Sequence, residues 1–181
     1  CVHTGTIPSK TLRETVLNLS GWRERGFYGR AHRNKADITA EDLRRRLHIT
    51  LDHEVEVLEH QFARNNVTWV SGDARFVGPN AVEVTADRGD VRHFHGDRII
   101  LAVGTAPHRP SQIPFDGESI VDADEILELR RLPRSLAVIG ASVIGIEYAT
   151  IFSALDVKVT VIEPGPTLLS FVDRELVDEF V

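Results

Sequence analysis

The apolar positions follow two different periods along the chain. Leu43, Leu47, Leu51, Val55, Leu58 and Phe62 recur at spacings of four or three, and this single apolar stripe predicts a long helix. Thr39, with Asp42 three residues on, gives it a start resembling a capping box, and Asn65 and Asn66 end it. An earlier helix is predicted from Ser9 to Trp22, with Leu12, Val16 and Leu19 on one side. Pro8 stands at its entry, where proline is tolerated, and Gly21, Gly26 and Gly29 interrupt the chain after it.

Past the long helix the period drops to two. Val67 to Val77, Ala81 to Ala86 and Val91 to His95 read as short strands, with turns at Gly78-Pro79-Asn80 and Arg88-Gly89-Asp90. This predicts an antiparallel meander of three strands. Arg98 to Val103 is more continuously apolar, the pattern of a strand buried on both faces. Pro107, Pro110 and Pro114 mark a linker that Gly117 closes, and a short helix is expected from Asp124 to Leu129. A β-α-β unit comes next: strand Leu136 to Ile139, helix Val143 to Ala154, strand Lys158 to Ile162. The order predicts an α/β fold, without internal repeats or low-complexity segments.

Length and charge narrow the picture. The 181 residues suffice for one full domain or parts of two, and the net charge of -6 argues against a nucleic-acid surface. Arg44, Arg45 and Arg46 read as the solvated side of a helix. No stretch approaches the roughly 20 apolar residues of a membrane span. Cys1 to Lys10 lacks the basic region and apolar run of a signal peptide. One cysteine cannot form an internal disulfide, so a cytoplasmic setting is the default expectation. A chain without methionine that opens on Cys1 and closes mid-pattern at Val181 reads as cut at both ends.

The clearest chemistry lies in the β-α-β unit. Strand Leu136 to Ile139 runs into Gly140-Ala141-Ser142-Val143-Ile144-Gly145, then a helix, then a strand ending in Glu163. In a dinucleotide fingerprint the first glycine permits the tight turn and the last lets helix and strand pack closely. The amides at the helix start favour a pyrophosphate. Glu163 comes after Gly140 at close to the roughly 20 residues expected of the acid that binds ribose hydroxyls. Ser142 replaces the middle glycine; its Cβ would crowd the ligand, or its hydroxyl would bond to it. A nucleophile elbow around Ser142 fits poorly, since the second glycine comes one residue late. His93 and His95 share a strand face without a third metal ligand, and His48, His53 and His60 read as surface residues.

Cys1-Val2-His3-Thr4-Gly5-Thr6-Ile7-Pro8-Ser9-Lys10 resembles the active-site segment of the flavoprotein disulfide reductases, in which two cysteines flank four residues ahead of Ile-Pro-Ser-Lys. Arg98 to Pro107, with Gly104 and Thr105, resembles that family's second FAD motif, and Gly72 to Phe76 a signature in its meander. The order of these pieces matches along essentially the whole chain. Thr6 departs from the pattern, because its hydroxyl cannot form a disulfide with Cys1, which then reads as a small structural residue. Gly5 to Lys10 and Leu168 to Asp173 are similar to the soluble pyridine nucleotide transhydrogenases, members of the same family.

The resemblance implies FAD, NAD and NADP as cofactors, and hydride transfer between NADPH and NAD through FAD. It implies Lys10, paired with Glu147, as the cation near the flavin, and Val143 as the residue over the flavin face. Cys1, Gly5, Thr6, Lys10, Gly104 and Thr105 are expected on the flavin side. Gly140, Ser142, Val143, Gly145 and Glu163 are expected on the nicotinamide-nucleotide side. Residues 1–117 would be part of an FAD-binding domain lacking its N-terminal glycine loop. Residues 118–181 would open an NAD(P)-binding domain, with homodimerisation through a C-terminal domain outside this sequence. The partners expected are small-molecule nucleotides, not nucleic acid or membrane, in a role in cell redox homeostasis. Two other readings remain: a related reductase with a quinone, metal or oxygen acceptor, and a non-catalytic redox sensor. Lys10 together with Glu147 speaks against the sensor.

Overall fold

The computed structural model describes residues 2–21, 38–169 and 171–180. The readings at Cys1, Trp22, Gly26, Gly29 and Ser170 lie outside them. In chain order the elements are α1 (Thr6–Leu19), α2 (Ala40–Arg64), β1 (Asp73–Gly78), β2 (Ala81–Thr85), β3 (Val91–His95), a 3-10 turn (Glu125–Glu128), β4 (Ser135–Ile139), α3 (Val143–Ala154), β5 (Lys158–Ile162) and α4 (Arg174–Phe180). They form an α/β fold in two compact units, one of Cys1–Glu54 with Pro107–Val181 and one of Val55–Ala106.

The first unit is built on α1, the start of α2 and the β-α-β. Helix α1 begins at Thr6, three residues ahead of the sequence expectation. Gly5 turns the chain at φ +85°, and its carbonyl accepts the Ser9 N–H at 3.1 Å. Pro8 therefore falls in the first turn, where a missing N–H costs no helical bond. At the other end Gly21, at φ 64°, stops the helix. Leu12 and Val16 of α1 pack with Leu43 and Leu47 of α2, Ile126 and Leu127 of the 3-10 turn, and Tyr148, Ile151 and Phe152 of α3. Phe152, Leu47 and Val16 are among the largest fully buried side chains. Each contributes roughly 1.5–3 kcal/mol relative to exposure.

Strands β4 and β5 pair in parallel, Ser135 opposite Lys158 through Ile139 opposite Ile162. The Gly140 N–H extends the ladder to the Ile162 carbonyl at 2.8 Å. The irregular stretch from Pro107 to the 3-10 turn is pinned by Arg109, whose guanidinium reaches Asp122 at 2.6 Å and Glu125 at 2.8 Å and stacks over Phe115. Helix α4 is an element that the apolar pattern does not predict. Asp173 caps it by accepting the Glu175 N–H at 2.9 Å.

Helix α2 starts as its sequence suggests. The Thr39 N–H donates to Asp42 at 3.0 Å and the Asp42 N–H to the Thr39 hydroxyl at 3.2 Å, a reciprocal capping box. It ends in a Schellman motif. Asn66 adopts φ 55°, its N–H donates to the Ala63 carbonyl at 3.2 Å, and the Val67 N–H donates to the Phe62 carbonyl at 2.9 Å. Of the arginine triplet, Arg44 pairs with Glu41, Arg45 lies 3.8 Å from Asp42, and Arg46 is exposed.

The second unit holds the meander, ordered β1-β2-β3 and antiparallel throughout. Its first strand starts at Asp73 rather than Val67. Gly72, at φ +148°, lies so close to β2 that a Cβ there would sit 2.5 Å from the Thr85 carbonyl oxygen. Arg98 to Val103 does not form the expected strand. Among the described residues nothing pairs with it, and Ile100, Leu101 and Val103 are 90%, 68% and 87% exposed. A strand buried on both faces exists only between neighbours that satisfy its backbone groups, which an apolar sequence alone does not supply.

Candidate functional site

Two places in the first unit concentrate polar groups with specific geometry. At one, α1 lies against α3. The Lys10 ammonium forms an ion pair with Glu147 Oε1, although the two residues are 137 positions apart. The Lys10 side chain is 56% exposed, whereas that of Glu147 is only 13% exposed. The Ser9 hydroxyl lies 3.3 Å from the other carboxylate oxygen, Oε2, and equally 3.3 Å from the Thr6 carbonyl oxygen. Next along α3, the Tyr148 hydroxyl donates to the Ala123 carbonyl at 3.0 Å. Burial, then the negative charges of Glu147 and Asp124, push that hydroxyl well above its ordinary pKa, so it stays protonated and a donor. The result is a carboxylate held on a fixed helix, with an exposed cation on one oxygen and a buried hydroxyl on the other.

The second place is the turn between β4 and α3. Gly140 takes φ +99°, which a side-chain-bearing residue adopts only with strain. A Cβ on Gly145 would overlap the Gly140 carbonyl oxygen and lie 3.3 Å from a Val138 methyl. Helix and strand therefore approach to a distance that only glycine allows. Ser142 is the N-cap of α3 in extended conformation, and its hydroxyl makes no capping bond. Ser142, Val143 and Ile144 are exposed at the start of α3. The Glu163 carboxylate closes the other side. It accepts the Ala141 N–H at 2.7 Å through Oε2 and the Gly165 N–H at 2.9 Å through Oε1. The Ala141 amide, then that of Gly165, hold its pKa below the usual carboxylate range. An anion, the chain's own, thus already occupies an amide of the glycine turn, which is the chemistry a phosphate-bearing ligand needs.

The remaining sequence candidates are more scattered. Gly5 and Thr6 are exposed at the N-terminus of α1, and nothing lies within 4 Å of a Cβ built on Gly5. Gly104 and Thr105 belong to the second unit, Gly104 at φ +71° with open space beside it. Cys1 lies outside the described residues. Among the described residues no group of three His, Cys, Asp or Glu side chains comes together to hold a metal. No helix among them is long and apolar enough to cross a membrane. Ser9 and Tyr148 are site residues that sequence reasoning misses. A serine beside the motif lysine and a tyrosine beside Glu147 are visible as neighbours, but only the packing of α1 on α3 shows what their hydroxyls meet.

Known proteins resemble this chain along nearly all of it. It is 48% identical over 179 residues to a soluble pyridine nucleotide transhydrogenase of Mycobacterium bovis, covering 98% of this chain and 38% of that protein. It is 36% identical over 178 residues to one from Aliivibrio fischeri, with the same coverage. The chain therefore spans well under half the length of these relatives. Among solved structures, LpdA from Mycobacterium tuberculosis superposes with a TM-score of 0.86 at 21% identity, over 99% of this chain and 39% of that one. The copper(II) complex of the HOCl-induced flavoprotein disulfide reductase RclA from Escherichia coli gives 0.73 at 23% identity, over 98% and 36%. At these identities the structural likeness speaks for the fold. The sequence match extends over residues 1–180, and the chain belongs to the pyridine nucleotide-disulphide oxidoreductase family.

Proposed function

We propose that the protein containing this chain is an FAD-dependent oxidoreductase that passes hydride between NADPH and NAD, without a redox-active disulfide. Residues 1–117 belong to its FAD-binding domain and residues 118–181 open its NAD(P)-binding domain. The observation that carries the reading is the Lys10–Glu147 pair, with its cation exposed and its carboxylate covered. Family membership, and relatives described as soluble pyridine nucleotide transhydrogenases, support it. A cytoplasmic homodimer is part of the same reading.

The residues fit the cofactors. Gly140, Ser142, Val143, Gly145 and Glu163 suit a nicotinamide nucleotide, since the turn leaves no room for a Cβ at Gly145 and already seats a carboxylate on the Ala141 amide. Gly5 and Thr6, at an uncapped helix N-terminus, suit the flavin nucleotide in the first unit. Gly104 and Thr105 are the candidates in the second unit. Bound FAD supplies the two-electron carrier chemistry. Lys10 provides a positive charge where a reduced flavin ring develops negative charge, and Glu147 fixes that charge in place. Thr6 carries no thiol, so it cannot relay electrons to Cys1.

The test is rapid mixing of the full-length flavoprotein with NADPH, then with an NAD analogue in a second mix. Flavin reduction and then reoxidation by the analogue within turnover time supports the reading. Reoxidation by quinones or oxygen alone assigns the protein to the related reductases, and no flavin reduction by NADPH or by NADH removes the enzyme reading.

A further inference from the structure

We infer that Ser9 is a positioning residue for the Lys10–Glu147 pair, fixing the plane of the Glu147 carboxylate and through it the place of the Lys10 charge. The inference rests on the proposed role of that pair beside the flavin.

A serine hydroxyl carries one proton. The Ser9 hydroxyl has two acceptors at the same distance, the Thr6 carbonyl and Glu147 Oε2, each at 3.3 Å. Hydrogen bonds to an ionised acceptor are roughly twice as strong as those to a neutral one, so the proton goes to Glu147. The Thr6 carbonyl loses little, because it lies within the helix and accepts a backbone bond from the next turn. Glu147 then has a donor on each oxygen, Lys10 on Oε1 and Ser9 on Oε2.

This division decides what orients the carboxylate. The terminal torsion of a glutamate is broad and two-fold, so a single donor leaves the plane free to swing. Lys10 is a poor fixed point by itself, since its long side chain is more than half exposed. Ser9 is 6% exposed and sits on a short side chain on a buried helix face. The carbon frame beneath Glu147 is also held, by the Tyr148 hydroxyl on Ala123. Ser9 is thus the rigid partner and Lys10 the mobile one, and the orientation passes from Ser9 to Glu147 to Lys10.

The experiment is a double-mutant cycle on the full-length flavoprotein, read as the flavin midpoint potential by spectroelectrochemical titration and as the rate of flavin reduction. Ser9→Ala is small and a good helix former, so the fold and flavin content are retained. Ser9→Ala is expected to lower the reduction equilibrium constant about tenfold, about 30 mV for a two-electron couple. Ser9→Thr, which keeps a hydroxyl, restores the wild-type potential. In a Glu147→Ala background, which removes both oxygens, Ser9→Ala adds little, because its route of action is already gone. An equal effect of Ser9→Ala in both backgrounds, or a wild-type potential in Ser9→Ala, overturns the inference. Lys10→Met separates the two levels. If it changes potential and rate while Ser9→Ala changes neither, only the role of Ser9 falls. If Lys10→Met is itself silent, the reading of the pair falls and the inference with it.

Discussion

Glu163 closes the glycine turn by accepting the Ala141 N–H at 2.7 Å, so the acid at the end of β5 is a structural tie as well as a ligand candidate. Its second oxygen takes Gly165 at 2.9 Å. Hydrogen bonds to the charged form hold its pKa below the usual range. Asp116 is held down likewise, by the amides of Ile120, Glu118 and Ser119. For a carboxylate whose folded pKa is depressed, the stability gained is fully present above the unfolded pKa, roughly 4. It is lost as pH falls through the lower folded value. Glu163→Gln should therefore lower the melting temperature at neutral pH, where the charged acceptor is lost, and flatten its fall on the acid side. Thermal unfolding at stepped pH checks this, and an acid limb identical to wild type would contradict it.

Some elements are legible in the sequence and others are hidden, for physical reasons. The boundaries of β4, α3 and β5 lie within a residue of their sequence expectations. There the apolar periods of two and 3.6 meet at Gly140, whose positive φ strains any other residue, while Gly145 in the first turn of α3 leaves no room for a Cβ. Helix α2 carries both its caps in local sequence, Thr39 with Asp42 and the Asn66 turn. Ile100 to Val103 shows the opposite case. Its composition encodes a preference for burial, yet the pairing that makes a strand belongs to neighbours it does not specify. Helix α4 escapes the pattern because its seven residues are too short for a periodic signal, although the Asp173 cap is there to read. At the site, the fingerprint is visible by spacing. The meeting of Lys10 with Glu147 depends on the packing of α1 against α3, which spacing does not encode, and the family resemblance alone suggests it.

Gly145 is a position where helix propensity and packing oppose each other. Alanine is intrinsically favoured over glycine within a helix by about 1 kcal/mol. Here its Cβ would overlap a backbone oxygen, that of Gly140, which cannot swing away as a side-chain tip can. Overpacking of this kind costs about 1–3 kcal/mol or more, so packing wins and Gly145→Ala should be destabilising. Gly5→Ala is the contrast, since it meets only open space and its cost comes from φ +85° alone. Denaturation midpoints of the two variants should show Gly145→Ala as the lower, with weakened nucleotide binding. Equal midpoints would mean that the close approach of β4 and α3 is not under strain.

Thr6 opens α1 where the family's pattern has a cysteine, and Cys1 is the one cysteine of the chain. A hydroxyl neither forms a disulfide nor relays electrons. The full-length protein should take up about two electrons per flavin in an anaerobic dithionite titration, against about four for a flavin plus a disulfide. Thr6→Cys should leave the first two-electron step unchanged. Uptake near four electrons by the wild type would contradict the assignment of a disulfide-free centre.

The nucleotide preference depends on what Glu163 has left to offer. A carboxylate presents about four lone-pair positions, and two are taken by Ala141 and Gly165. The others remain able to accept from the two ribose hydroxyls of NAD. NADP brings a phosphate in place of one hydroxyl, so a donor becomes an anion facing an anion. Pro164, Gly165 and Pro166 supply no cation to offset it. The site should therefore bind NAD(H) more tightly than NADP(H), while a transhydrogenase must still accept both. Glu163→Gln removes the charge, but its amide group sets a donor against one of the two backbone N–H groups. The turn then loosens, and binding of both nucleotides weakens. The ratio is the informative quantity, because the loosening is common to both and the repulsion belongs to NADP(H) alone. Preference for NAD(H) should fall by roughly tenfold, the scale of one relieved like-charge contact. Glu163→Asp, which keeps the charge on a shorter arm, should retain the preference while binding both less tightly. Calorimetric dissociation constants for the two nucleotides, in the full-length wild type and both variants, decide it: an unchanged ratio in Glu163→Gln would mean that the carboxylate serves the turn and does not meet the ribose.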